Sequence, residues 1–213
     1  MATTTHPKGA SSARLAPVLG AKPLQIFKPG RHTAMSGVAL AFSESDLAAS
    51  AAAYDPAVSQ APIVVGHPMG AVKEQSANLY AQKLADRGFV TLAIDLSFWG
   101  ESEGKPGHLI SPEIYSDDFS AAVDYLSSQP YVDPENIGVL GICGSGSFVI
   151  SAAKIDPRMK AIATVSMYDM GSAFRHGLNH SQTPEQRKAF IQSAIEQRMA
   201  EFKGAEKAYI PGT

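Results

Sequence analysis

Cysteine is almost absent from this chain, because Cys143 is the only one among 213 residues. A single thiol excludes an internal disulfide, and a metal site built from thiolates would need several. We therefore expect no metal and no other cofactor. Cys143 is either a small buried apolar residue or a reactive thiol.

The sequence also lacks an excess of charge of one sign and a long apolar run. Its 18 basic and 20 acidic residues give a formal charge of -2, which argues against a nucleic-acid partner. No apolar run reaches the roughly 20 residues of a membrane helix, and no secretion signal is recognisable. We expect a soluble cytoplasmic protein that acts on a small molecule.

Acidic residues are missing from the first 43 positions, which carry five basic ones. Organelle transit peptides share this composition. Four prolines would break an amphipathic targeting helix and favour a poorly ordered arm over residues 1–36. We expect one domain core over residues 37–175, and residues 176–213 to begin a helical cap or to form a truncated tail.

Short apolar runs alternate with helix-like stretches along the core. Weak strands at 38–42 and 47–54 favour an antiparallel edge, and stronger strands are predicted at 63–65, 89–94, 137–142 and 161–165. In the first helix, Leu79, Tyr80 and Leu84 are expected to share the buried face with Ala77 and Ala81. Residues 96–104 are predicted to form a long surface loop, and Thr183-Pro184 to begin a helix that reaches about Lys203. This alternation predicts an α/β fold with a mostly parallel sheet and helices on both faces.

The strongest chemical signal is GICGS at residues 141–145, which joins a buried strand to a helix. A nucleophile on such a sharp turn is held at the ligand-binding edge of the sheet, and the helix N-terminus points its N–H groups at it. Gly141, Ser145 and Gly146 leave room for this turn around Cys143. Ser145 is a rival nucleophile, but it lies two residues beyond the strand, where the helix should already have begun.

The loop GHPMG at residues 66–70 follows a parallel strand and should reach the same edge. Backbone N–H groups of Met69 and Gly144 are candidates to bind a developing oxyanion. We expect His67 to brace this loop rather than transfer protons, and the sequence around Glu74 to be a charged helix start. Asp95, at the end of the next strand, is expected to brace the neighbouring loop.

Asp169, His176 and His180 follow the fourth strong strand. They offer a possible acid and base for Cys143, but we interpret them as solvated loop residues.

Three motifs in this order resemble the dienelactone hydrolase-like branch of the α/β-hydrolase family: VGHPMGAVKEQ at 65–75, DLSFWGES at 95–102 and DPENIGVLGICGSG at 133–146. The resemblance spans about residues 45–170. It implies a Cys143 nucleophile, oxyanion N–H groups from Met69 and Gly144, and action on an ester, thioester or lactone, including acyl transfer. Position 145 is Ser where the general hydrolase pentapeptide has Gly.

Family members carry the catalytic acid and histidine after later strands, and the chain ends at Thr213 before such strands. We expect an α/β-hydrolase that is incomplete at the C-terminus and therefore weak or inactive as this chain. Two alternatives remain open. The chain could be a triad-deficient relative that binds a ligand or partner without turnover, or a second copy or a complementing C-terminal segment could supply the missing strands.

Overall fold

A mostly parallel sheet forms the centre of the molecule. The computed structural model describes residues 61–130 and 132–209, together with the backbone of residues 31–33, 39–41 and 47–48. The strands are β1 (Arg31–Thr33), β2 (Ala39–Ala41), β3 (Leu47–Ala48), β4 (Pro62–Gly66), β5 (Val90–Ile94), β6 (Ile137–Ile142) and β7 (Met159–Val165). The first two form a separate antiparallel pair, and the other five have the order β3-β5-β4-β6-β7. Strands β4 to β7 are parallel, and β3 is the predicted antiparallel edge.

Five α-helices are described, and the first three cover both faces of the sheet. They are α1 (Ser76–Ala85), α2 (Pro112–Ser127), α3 (Gly144–Ala153), α4 (Met170–His176) and α5 (Pro184–Phe202). Adjacent residues of a strand point to opposite faces. Val65 of β4 packs with Ala77 and Ala81 of α1, whereas Val64 lies in the core cluster that holds Phe119 of α2 and Phe148 of α3. The predicted α/β class is confirmed.

Helix α1 buries the predicted face except for Leu79, since Tyr80 and Leu84 are partly buried against the same cluster as Ala77 and Ala81. Ala77, Ala81 and Ala85 are buried, whereas Leu79 is 59% exposed. Small side chains at a spacing of four let the helix approach the sheet closely. The prediction for Leu79 was wrong because apolarity alone does not reveal which face is the closer one.

The segment after β5 is less exposed than predicted. It contains no helix or strand up to residue 110, but Leu96, Ser97 and Trp99 are at most 5% exposed. The description of residues 96–104 as a surface loop was therefore wrong for its first half. Leu96, Phe98 and Trp99 of this segment belong to the core cluster that holds Phe119 and Phe148.

The chain after α3 has a more open structure. Helix α4 was not predicted, and α5 runs over almost the predicted range with Thr183 in a capping box. No residue of α5 is buried. No helix in the described part of the chain has the length and apolarity needed to cross a membrane. Residues 1–30, most of the predicted N-terminal arm, lie outside the described residues; β1 falls near the arm's end.

Candidate active site

Cys143 occupies a strained turn between β6 and α3. Its backbone has φ 54° and ψ -114°, a conformation that costs a residue other than glycine about 1–3 kcal/mol. Three hydrogen bonds hold it there: the Cys143 N–H donates to the Val165 carbonyl at 2.9 Å, and the Cys143 carbonyl accepts from Gly146 N at 3.0 Å and Tyr168 N at 3.1 Å. The half-buried thiol is thus fixed on the predicted sharp turn.

Two glycines permit the close packing of this turn. A Cβ at Gly141 would lie 2.4 Å from the Ser145 carbonyl oxygen, and a Cβ at Gly146 would lie 2.5 Å from Cγ of Met167. Real Cβ atoms essentially never approach other atoms so closely. The chain therefore needs glycine at both positions to bring β6, α3 and the segment after β7 together.

Ser145 fastens the turn to the loop at residues 66–70. Its side chain is fully buried, and its hydroxyl donates a 2.5 Å hydrogen bond to the His67 carbonyl. Ser145 is the second residue of α3, as its distance from the strand predicted. A buried hydroxyl that is already engaged is poorly placed to attack a substrate, so the geometry favours Cys143 over Ser145 as the nucleophile.

The Met69 backbone lies directly beside the N-terminus of α3. A Cβ at Gly144 would lie 3.4 Å from Met69 N and 2.9 Å from Met69 Cβ. Met69 lies within a turn that is closed by Ala71 N donating to the Pro68 carbonyl at 3.1 Å. No described residue accepts a hydrogen bond from the N–H of Met69 or Gly144. Two neighbouring N–H groups without an acceptor among the described residues are candidates to bind an oxyanion.

His67 braces this loop with both ring nitrogens. Nδ1 lies 2.7 Å from the Pro68 carbonyl, and Nε2 lies 3.1 Å from Leu96 N. Because a carbonyl only accepts and an N–H only donates, His67 must carry its proton on Nδ1 and accept through Nε2. Burial lowers the pKa of His67 below its usual value of 6.5. This neutral, fully engaged ring agrees with the predicted bracing role.

Lys73 is a buried side chain rather than part of a charged helix start, because it is 1% exposed and α1 begins only at Ser76. Its Nζ lies 2.9 Å from Asp95, 2.8 Å from Glu101 and 3.1 Å from Glu74. The oxygens of these three carboxylates lie within 4.8 Å of one another. The ammonium group supplies the positive charge that such a cluster needs.

The acid and base candidates after β7 serve local structure. Asp169 is the N-cap of α4 and accepts from Ser172 N at 2.8 Å. His176 lies in α4 and not in a loop, and its ring stacks on that of His180 at 5.1 Å. Both histidines are exposed, as predicted. Within the described residues no histidine is hydrogen-bonded to the Cys143 thiol.

Asp118 is a buried acid that was not among the predicted site residues. It is fully buried in α2 and accepts from Ser97 N at 2.8 Å and Ser97 Oγ at 2.7 Å. Burial raises the pKa of Asp118 to about 7. A signal was present, since Asp118 lies one helical turn from Tyr115 and Ala122 on the apolar face of α2.

The comparisons with known proteins identify the family of this chain. Residues 48–202 match the model of the dienelactone hydrolase family, and the chain belongs to that family. Over 149 residues it is 50% identical to the uncharacterized protein PA2218 of Pseudomonas aeruginosa, covering 70% of this chain and 40% of that protein. A crystal structure of PA2218 superposes with a TM-score of 0.78 and 42% identity, covering 86% of this chain and 56% of the other.

Two fungal relatives have names that describe an activity. The chain is 32% identical to acyltransferase drtE of Aspergillus calidoustus over 154 residues, which cover 72% of this chain and 47% of that protein. It is 38% identical to thiohydrolase aneE of Aspergillus aculeatus over 103 residues, which cover 48% of this chain and 32% of that protein. The chain thus spans less than half the length of these curated relatives.

Proposed function

We propose that Cys143 is the nucleophile of an acyl-transfer reaction on an ester, a thioester or a lactone. The observation that carries the proposal is the pair of N–H groups, from Met69 and Gly144, that lie beside the turn holding Cys143 and have no acceptor among the described residues. A strained nucleophile beside preorganised donors is the arrangement that stabilises the tetrahedral intermediate of acyl transfer.

The chemistry follows from this arrangement. The Cys143 thiol loses its proton to solvent, and its sulfur attacks the substrate carbonyl carbon. The carbonyl oxygen becomes an oxyanion that accepts from the two N–H groups. The intermediate collapses, the bond to the alcohol or thiol leaving group breaks, and that group takes up a proton. A second nucleophile then releases the acyl group from Cys143. If this nucleophile is water the reaction is hydrolysis, and if it is another molecule the reaction is acyl transfer.

The names of the relatives support this reaction class. One relative is named a thiohydrolase and another an acyltransferase. Both activities proceed through attack on an acyl carbonyl. Membership of the dienelactone hydrolase family adds lactones to the substrates worth testing.

A second candidate function is binding of an acyl compound without turnover. It is favoured by one observation: among the described residues the Cys143 thiol has no histidine partner to act as a base. A thiol without a base reacts slowly and is not efficiently regenerated after acylation.

The test is release of p-nitrophenolate from p-nitrophenyl acetate by the natural sequence and by Cys143→Ala. Release that depends on Cys143 supports the proposal, and continued turnover identifies hydrolysis. One equivalent released without turnover identifies acylation alone. Equal release by both proteins contradicts the proposal, and binding without release supports the second candidate.

A further inference from the structure

We propose that Asp95 and Lys73 are positioning residues that set the Met69 N–H against the Cys143 turn. The inference rests on the proposed function, because Met69 matters only if an oxyanion forms there. We refer to Asp95, Lys73 and Glu101 together as the Asp95 network.

Asp95 joins two loops at one sheet edge. It follows β5 directly, is fully buried, and its Oδ1 accepts from Lys73 N at 2.8 Å. Its Oδ2 accepts from Lys73 Nζ at 2.9 Å and from Glu101 N at 3.0 Å. One carboxylate thus holds the end of the loop that carries Met69 and the turn at residues 99–102.

The turn at residues 99–102 approaches the Asp95 carboxylate unusually closely. A Cβ at Gly100 would lie 2.1 Å from Oδ2 of Asp95, so only glycine fits there. Gly100 also has φ +54°, which glycine adopts readily. This contact lets the Glu101 N–H and the Glu101 carboxylate reach Asp95 and Lys73 respectively.

Met69 lies between two anchors. On one side, the His67 ring accepts from Leu96 N. On the other side, Lys73 donates to Asp95 through both its backbone and its side chain. Leu96 and Asp95 are adjacent, so both ends of the short segment 67–73 are tied to the same point of the chain after β5. Met69 has no hydrogen-bond partner of its own among the described residues, and these anchors fix its position.

The ion pair of Lys73 and Asp95 is better suited to positioning the two loops than to raising the stability of the fold. A buried ion pair adds little net stability, because desolvation of both charges offsets their attraction. Such a pair does, however, fix two loops in one arrangement. A displacement of a catalytic donor by about 1 Å is enough to slow a reaction by up to about a hundredfold.

The test compares two reactions of Cys143 in two variants. Asp95→Asn removes one charge of the buried pair and leaves the Lys73 ammonium group beside Glu74 and Glu101. Asp95→Asn with Lys73→Met removes both charges of the pair. Acylation by p-nitrophenyl acetate passes through an oxyanion, whereas alkylation by iodoacetamide does not. Asp86→Asn is the matched control, because within the described residues the Asp86 carboxylate contacts only the exposed side chains of Gln82 and Lys83.

We expect the maximal acylation rate to fall about 10- to 100-fold in both variants, with the half-saturating substrate concentration unchanged. The alkylation rate should stay within about twofold of the natural sequence. Unchanged acylation in the double variant, or an equal fall in acylation and alkylation, would overturn the inference. If the natural sequence itself is not acylated, the proposed function fails and the inference fails with it.

Discussion

Two parts of the molecule differ in which side chains they bury. The first is the sheet edge formed by β4, β5 and β6, and the second comprises β7 and α5. At the first, polar and charged side chains are fully or almost fully buried, and each has partners: His67, Lys73, Asp95, Asp118 and Ser145. In the second, apolar side chains are exposed. Along α5, Phe190 is 54% exposed and Ile195 is 51% exposed.

The contrast between these two parts shows where the positions of side chains are fixed. A buried polar group costs free energy unless its partners are in place, so the sheet edge that carries Cys143 tolerates little movement. Helix α5 depends mainly on local contacts such as its capping box. Substitutions should therefore have large effects at the edge and small ones along α5.

The largest expected effect is on the packing beneath the site. Phe119 is fully buried in α2, and a Cβ at Gly66 would lie 2.3 Å from its ring. Phe119→Ala should lower the free energy of unfolding by about 3–5 kcal/mol, because it leaves a cavity. Phe190→Ala, also in a helix, should change it by less than about 0.5 kcal/mol. Urea unfolding of both variants measures the difference, and similar losses would refute the contrast.

The next largest effect on stability concerns the turn that carries Cys143. Gly141→Ala places a methyl group against the Ser145 carbonyl, which is backbone and cannot rotate away. We expect a loss of about 2–3 kcal/mol in the free energy of unfolding. Gly138→Ala is the matched control in β6, where the nearest atom to a new Cβ is 3.5 Å away. Thermal unfolding compares the two, and a loss at Gly138 as large as that at Gly141 would contradict the steric account.

A smaller effect concerns Asp118 and appears as a pH dependence. Burial raises the pKa of Asp118 from 3.8 to about 7, so between these pH values the folded protein holds a proton that the unfolded chain releases. Its contribution to stability is therefore present at low pH and is lost as the pH rises to 7. The slope is about 1.4 kcal/mol per pH unit at most.

The variant Asp118→Asn should remove this slope. As the pH rises from 5 to 7, the free energy of unfolding of this variant should rise relative to that of the natural sequence. Urea unfolding at a series of pH values measures the difference. A difference that stays constant with pH would mean that Asp118 does not titrate in this range.

Local patterns account for what the sequence predicted well. Alternating apolar runs and helical stretches predicted the parallel sheet, and the small residues around Cys143 predicted the turn. The pairing of Lys73 with Asp95 could not be predicted, because it joins residues 22 positions apart and depends on the register of β4 against β5. Helix α4 was missed because its seven residues are too few for a periodic pattern.

The central claim is that Cys143 accepts an acyl group. The most direct measurement is mass spectrometry of peptides from the protein after brief exposure to p-nitrophenyl acetate. The account predicts one acetyl group, which lies on Cys143 in the peptide that contains it. It predicts no acetyl group in Cys143→Ala. An acetyl group on Ser145, or no adduct on a folded protein that also releases no p-nitrophenolate, would contradict it.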